Sequence, residues 1–99
     1  MRVIWSARAQ RDLDAIYAYV ARDTALAARN WITKLRQRAR AVAAVPKVGR
    51  LVPEFEKLDV REVFVGSYRI VYQIEANCVR VLTVFEGHRL IPDSVVQDP

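Results

Sequence analysis

Few side chains in this 99-residue sequence can do chemistry, and most of those are arginines. Arg61, Arg69, Arg80 and Arg89 fall in or just after strand-like runs, and His88, the single histidine, stands beside the last of them. Guanidinium groups suit bidentate contacts to phosphate or carboxylate and stack on bases. An imidazole gives or takes a proton near neutral pH. Arg69 lies inside Tyr68-Arg69-Ile70-Val71-Tyr72, where a charge is costly unless it faces solvent or a partner. Two uses are open to it. It can contact an anion on an open sheet face, or form an internal salt bridge, for which Glu62 on the neighbouring strand is the natural carboxylate. Glu54, Glu56, Glu62, Glu75 and Glu86 are the candidates for an acid–base pair, and their spacing makes none.

Other chemistries are excluded more firmly. One cysteine, Cys78, allows neither an intramolecular disulfide nor a multi-thiolate zinc site. One histidine removes multi-histidine metal sites and leaves no assembled Ser-His-Asp or Cys-His set. No glycine-rich phosphate loop is present, so neither a metal nor a cofactor is expected. The balance of 16 Lys+Arg against 11 Asp+Glu gives a net charge of +5 and a pI near 9.9. Such a balance suits an acidic partner, whether nucleic acid, membrane surface or acidic protein segment, although frequent Arg and Ala also reflect genome composition. No apolar run approaches the roughly 18 residues of a membrane span, and charge at Arg8 and Arg11 interrupts any signal-peptide core. A cytoplasmic protein with no membrane partner is expected.

The length predicts one domain over 1–99. Val3-Ile4-Trp5 is a β-type run, and Ser6 is a candidate N-cap. From there to about Arg22 the period is helical, with Leu13, Ile16, Tyr17 and Val20 as the apolar stripe and Tyr19 off it. Thr24 caps a second helix to about Ala44, whose stripe includes Ala28, Trp31, Ile32, Leu35, Ala39 and Val42. Its other face carries Arg29, Lys34, Arg36, Arg38 and Arg40, a solvated face or an electrostatic footprint for an acidic partner. Pro46 ends this helix, and the short link predicts an antiparallel helical hairpin. Residues 46–59 read as irregular. Val60 to Val65, Tyr68 to Glu75 and Val79 to Phe85 read as strands, with a type II′ turn at Gly66-Ser67 and another turn near Asn77. A loose tail follows from about Pro92. The expected fold is α+β in the order β-α-α-β-β-β: an antiparallel sheet with the helical hairpin on one face, the other face left for a partner.

Four stretches together resemble the RelE/ParE superfamily of toxins from bacterial type II toxin–antitoxin modules. They are Val3 to Val20, which looks like the opening strand and first helix; Val48 to Glu54, the central loop; Val60 to Tyr72, the central hairpin; and Val81 to Leu90, the last strand and its exit. RelE-type members are ribosome-dependent endoribonucleases, and ParE-type members, often called plasmid stabilisation proteins, inhibit DNA gyrase. Arg69 matches the arginine of the Tyr-Arg hairpin motif, and Arg89 the basic residue after the last strand. The lysine of the RelE pattern is not evident, because Glu62-Val63-Phe64 occupies its region. The C-terminal tyrosine is absent too, with Val95 or Val96 near its place.

The resemblance therefore implies a gyrase-directed toxin that acts by binding and causes growth arrest, with Arg61, Arg69, Arg80, His88 and Arg89 toward the target. The alternatives are an mRNA interferase using Arg69, His88 and Arg89 on ribosome-bound mRNA, or an inactive antitoxin-binding module. All three imply a cognate antitoxin, which would meet Leu13, Ile16, Tyr17, Val20, Trp31 and Leu35 and would itself supply direct DNA binding.

Overall fold

Ser6 closes the first strand and opens the first helix. In the computed structural model, which describes residues 1–87, 91 and 93–97, β1 is Arg2–Trp5 and α1 is Ala7–Ala21. The buried Ser6 hydroxyl accepts the Ala9 N–H at 3.0 Å and donates to the Leu82 carbonyl at 2.9 Å. One side chain thus satisfies an orphan donor of the helix and pins the helix start to the sheet. Thr24 caps α2 (Ala25–Ala44) in the same way through Ala27 N–H. Pro46 then begins a 3-10 turn, Pro46–Val48, that ends the helical hairpin.

The remaining strands are β2 (Arg50–Leu51), β3 (Val60–Val65), β4 (Tyr68–Ile74) and β5 (Cys78–Glu86). Their order in the sheet is β1-β5-β4-β3-β2. Neighbours from β5 to β2 are antiparallel. Gly66 has φ +59° and Ser67 has no positive φ, the pattern of the expected type II′ turn. β1 runs into helix rather than a hairpin, and β4 is already flanked by β3 and β5. It therefore joins the free edge of β5, in parallel, with Trp5 opposite Val81. The register slips at Val71/Tyr72, leaving Leu82 without a counterpart across β4. Beyond the end of β1, which pairs only as far as Val81, the Asp12 carboxylate of α1 accepts the Val84 N–H at 3.0 Å and the Thr83 hydroxyl, so the helix supplies a partner where the neighbouring strand no longer reaches.

Alternation along the strands builds two cores. The helix side of the sheet contributes Val63, Ile70, Tyr72, Val79, Val81 and Val84, which pack with Ala9, Leu13, Leu35, Ala39 and Val42. Tyr17, expected in the α1 stripe, is exposed, whereas Ala9 one turn before Leu13 is buried. The stripe is therefore shifted toward the start of the helix, where α1 meets β5. The second sheet face, expected to be open, carries a core of its own: Val60, Val71, Leu82 and Phe85 are covered by Val52, Phe55 and Val95. Phe55 comes from the 3-10 stretch Pro53–Leu58 in the segment read as irregular. Where the loose tail is expected, the 3-10 turn Asp93–Gln97 inserts Val95 at 0% exposure. Apolar residues of β3, β4 and β5 on that face need cover, and these two short segments provide it.

Candidate functional site

The back face of the sheet gathers its charge around one carboxylate. Glu62 on β3 is diagonal to Arg69 on β4, since Phe64 is the residue directly opposite Arg69. Arg50 on β2 is directly opposite Glu62. Arg69 Nε donates to Glu62 Oε1 at 2.9 Å, and Arg50 Nε donates to Glu62 Oε2 at 3.0 Å. A second nitrogen of each arginine also reaches the same oxygen. Each guanidinium therefore holds one oxygen of a single carboxylate. The Arg69 guanidinium also lies over the rings of Phe85 (5.0 Å) and Phe64 (5.9 Å), contacts that compensate a cation removed from water. Burial alone would raise the Glu62 carboxyl; the hydrogen bonds and charges of Arg50 and Arg69 outweigh it, and its pKa falls below the ordinary 4.5.

Of the other sequence-predicted arginines, the pleat separates Arg61 from this cluster, whereas Arg80 shares the back face, opposite Gln73, and is occupied by a carboxylate of its own. Arg61, one residue from Glu62, points to the helix side. It donates to Asp59 Oδ1 at 2.9 Å and to the Gly49 carbonyl at 3.0 Å. Tyr72 works at the same place, donating to the Pro46 carbonyl at 2.7 Å and accepting the Gly49 N–H at 2.9 Å. Together they clamp residues 46–50 onto the sheet, so that β2 can present Arg50. Arg80 pairs with Glu75 at 3.0 Å, and that pairing holds the Glu75 carboxyl below its ordinary range. Glu75 also accepts a hydrogen bond from the Cys78 thiol. Cys78 is buried, and burial with the nearby Glu75 raises its pKa, which suits a packing residue rather than a nucleophile. His88 and Arg89 lie outside the described residues. Arg61, Arg69 and Arg80 thus do not form one cationic patch. Arg50 was missed by sequence reasoning, because it sits in a segment without periodicity and only strand pairing brings it to Glu62.

As chemistry, this face is a shaped surface of paired charge. Its most accessible parts are the Arg50 side chain, 74% exposed, and the exposed ring of Phe64. A carboxylate already fills the space between the two guanidinium groups, where a bound phosphate oxygen would have to sit. On the opposite side, Trp31 of α2 stacks edge-on against Tyr68 at 5.1 Å, and Lys34 Nζ lies 4.9 Å from the Trp31 ring. A hollow of about 350 Å³ beside α1 is lined by residues including Asp12, Ile16, Tyr19, Tyr68 and Glu86.

The model of the ParE toxin of type II toxin–antitoxin systems (parDE) matches residues 3–91. The chain belongs to the ParE toxin family. It is 32% identical over 90 residues to Toxin RelE2 of Caulobacter vibrioides, covering 90% of this chain and 98% of that protein. Its fold matches a structure of the chromosomal ParDE toxin–antitoxin system from P. aeruginosa with a TM-score of 0.73 at 19% identity, over 89% of this chain and 97% of that one. Membership of the ParE family implies a cognate antitoxin. Of the residues expected to meet it, Leu13 and Leu35 are 2% and 0% exposed and Ile16 is buried. These three serve the toxin's own core, because the helical stripe that faces the sheet cannot also face a partner. Tyr17 is exposed, and Val20 and Trp31 are half-buried, so this part of the expected surface is within a partner's reach. Among the described residues no helix is long and apolar enough to cross a membrane.

Proposed function

We propose that this ParE-family protein is a gyrase-directed toxin of the cytoplasm that acts by binding rather than by cutting RNA, and that a cognate antitoxin neutralises it. The observation that carries this reading is the Glu62 carboxylate between Arg50 and Arg69. An RNase of this architecture needs positive charge free to stabilise a pentavalent phosphate state. Here a fixed anion occupies the space between the guanidiniums, and displacing it would leave a buried carboxylate without partners. Target recognition is assigned to the back face around Arg50 and Phe64, with Arg69 and Arg80 shaping it, and to the chain end that carries His88 and Arg89. DNA contacts come through the antitoxin.

The test uses antitoxin-free chain, DNA gyrase, supercoiled plasmid and ATP. Accumulation of linear, protein-linked DNA, reversed by antitoxin, is expected. A folded chain with no effect on gyrase sinks the proposal. Cleavage of ribosome-bound mRNA that is lost in His88→Ala would replace it with the interferase reading, to which the name of the Caulobacter relative lends support.

A further inference from the structure

The surplus of positive charge in this chain is confined to one stretch. Residues 24–53 carry seven of the 16 Lys+Arg and no Asp or Glu, whereas the rest of the chain carries nine against eleven. Five of the seven, Arg29, Lys34, Arg36, Arg38 and Arg40, are on α2. Arg29, Lys34 and Arg40 are exposed, and Arg36 and Arg38 are half-buried. None of the five forms an ion pair with a carboxylate among the described residues. Lys34 and Arg38, like Arg36 and Arg40, are like charges four residues apart, a spacing that weakens a helix. The stability of α2 therefore does not account for them.

Their placement is ordered. Successive residues turn by about 100° around a helix, and the buried stripe of α2 includes Ala28, Leu35, Ala39 and Val42. On one side of that stripe Arg29, Arg36 and Arg40 form a row. The Arg36 guanidinium lies 5.3 Å from the centre of the Trp5 ring, and Arg40 lines the same hollow as Val3 and Trp5, so this row borders β1. On the other side Lys34 and Arg38 form a second row. Lys34 Nζ lies 4.9 Å from the Trp31 ring, which packs on Tyr68 of β4. Between the rows, opposite the buried stripe, runs an exposed crest of Asn30, Thr33, Gln37 and Ala41.

This cross-section selects among anionic partners. An amphipathic helix from another protein needs an apolar surface to dock on, and the crest offers amides, a hydroxyl and a methyl group. The major groove of duplex DNA is about 12 Å wide and admits one α-helix. Phosphates wall it on both sides, where a helix with cations on both flanks meets them. Asn, Gln, Thr and Ala are side chains that base edges in that groove accept. We propose that α2 binds duplex DNA by lying along the major groove, with Arg36 and Arg40 on the phosphates of one strand and Lys34 and Arg38 on those of the other. Release of the counterions condensed on the DNA supplies the affinity, and water bridges much of the crest to the bases. This grip belongs to the toxin itself and is separate from the DNA contacts assigned to the antitoxin. It goes beyond the gyrase reading and does not depend on it.

The test measures binding of the full, antitoxin-free chain to a short fluorescent duplex by anisotropy, over a range of KCl concentrations. The logarithm of the affinity is expected to fall against the logarithm of salt with a slope of about −4, as four neutralised phosphates require. Arg36→Gln/Arg40→Gln and Lys34→Gln/Arg38→Gln should each flatten that slope by about two, their urea midpoints showing that both are folded. Arg11→Gln/Lys57→Gln removes the same charge away from α2 and should leave the slope as it is. Absence of saturable binding at low salt, or a control that loses as much as the α2 variants, overturns the proposal. So does a loss confined to one row, because a helix in a groove needs both walls. A Glu-rich helical peptide that binds more tightly than the duplex at equal salt, and is weakened by the same variants, overturns it as well and assigns α2 to an acidic protein. A chain that binds the duplex but leaves gyrase untouched upholds this proposal and sinks the gyrase reading, and a chain that traps gyrase but ignores the free duplex does the reverse.

Discussion

Replacing Glu62 with Gln tests whether one carboxylate organises the back face. Glutamine keeps the shape and one acceptor oxygen and removes the charge. The two partners it abandons are unequal: the Arg69 side chain is 9% exposed, whereas that of Arg50 is 74% exposed. Removing one member of a buried ion pair costs about 3–5 kcal/mol, because the remaining charge stays buried without compensation. An exposed pair contributes only about 0–1 kcal/mol. The rings of Phe64 and Phe85 still face Arg69, and the Gln oxygen still accepts, so the low end applies. Glu62→Gln is expected to cost about 3 kcal/mol, and Arg50→Gln less than about 1 kcal/mol. The first is a large part of the roughly 5–15 kcal/mol that holds a domain together. Urea unfolding followed by the fluorescence of Trp5 and Trp31 measures both.

The pH dependence gives a second reading of the same pair. The folded Glu62 carboxyl titrates below its ordinary 4.5, so as pH falls the unfolded chain takes up the proton first. The stabilisation is fully present above that ordinary value and is lost as pH falls through the lower folded value. The stability gap between the parent and Glu62→Gln should therefore narrow in acid. A Glu62→Gln cost no larger than that of Arg50→Gln, or a gap that stays constant into the acid range, would refute the reasoning.

Three further perturbations probe the parts that support this face. Gly49→Ala should cost about 1–3 kcal/mol by overpacking, because a Cβ there would meet the Tyr72 hydroxyl and would stand 2.9 Å from the Glu62 carbonyl; a lowered thermal midpoint checks it. Val95→Ala should cost about 2 kcal/mol in urea unfolding, since Val95 is fully enclosed by the second core, and an unchanged midpoint would mean that the chain end does not anchor there. Asp12→Ala strips the Val84 N–H and Thr83 hydroxyl of their acceptor; about 1–3 kcal/mol is expected, with faster amide exchange at Val84.

Much of the fold is legible in short stretches of sequence. Ser6 and Thr24 cap the helices as their side-chain chemistry dictates. Pro46 stops α2, and Gly66-Ser67 turns the hairpin. Apolar periods near 3.6 and 2 separate helix from strand. Glu62 was legible as the partner of Arg69, because both lie on strands joined by a tight turn. Each of these depends on residues only a few positions apart.

What the tertiary structure alone decided involves partners far apart in the chain. Arg50 reaches Glu62 only because Arg61 and Tyr72 fasten an aperiodic segment to the sheet. Arg61 leaves the site because a strand alternates its faces at every residue, so one position separates a charge on the back from one on the helix side. β1 lies parallel to β5, nearly the whole chain away, because that edge is the one still free when the hairpins have paired. Val95 closes a second core that no local period announces. Periodicity and capping are properties of a segment, whereas pairing, register and cover are settled by the competition of all segments for the same buried surface.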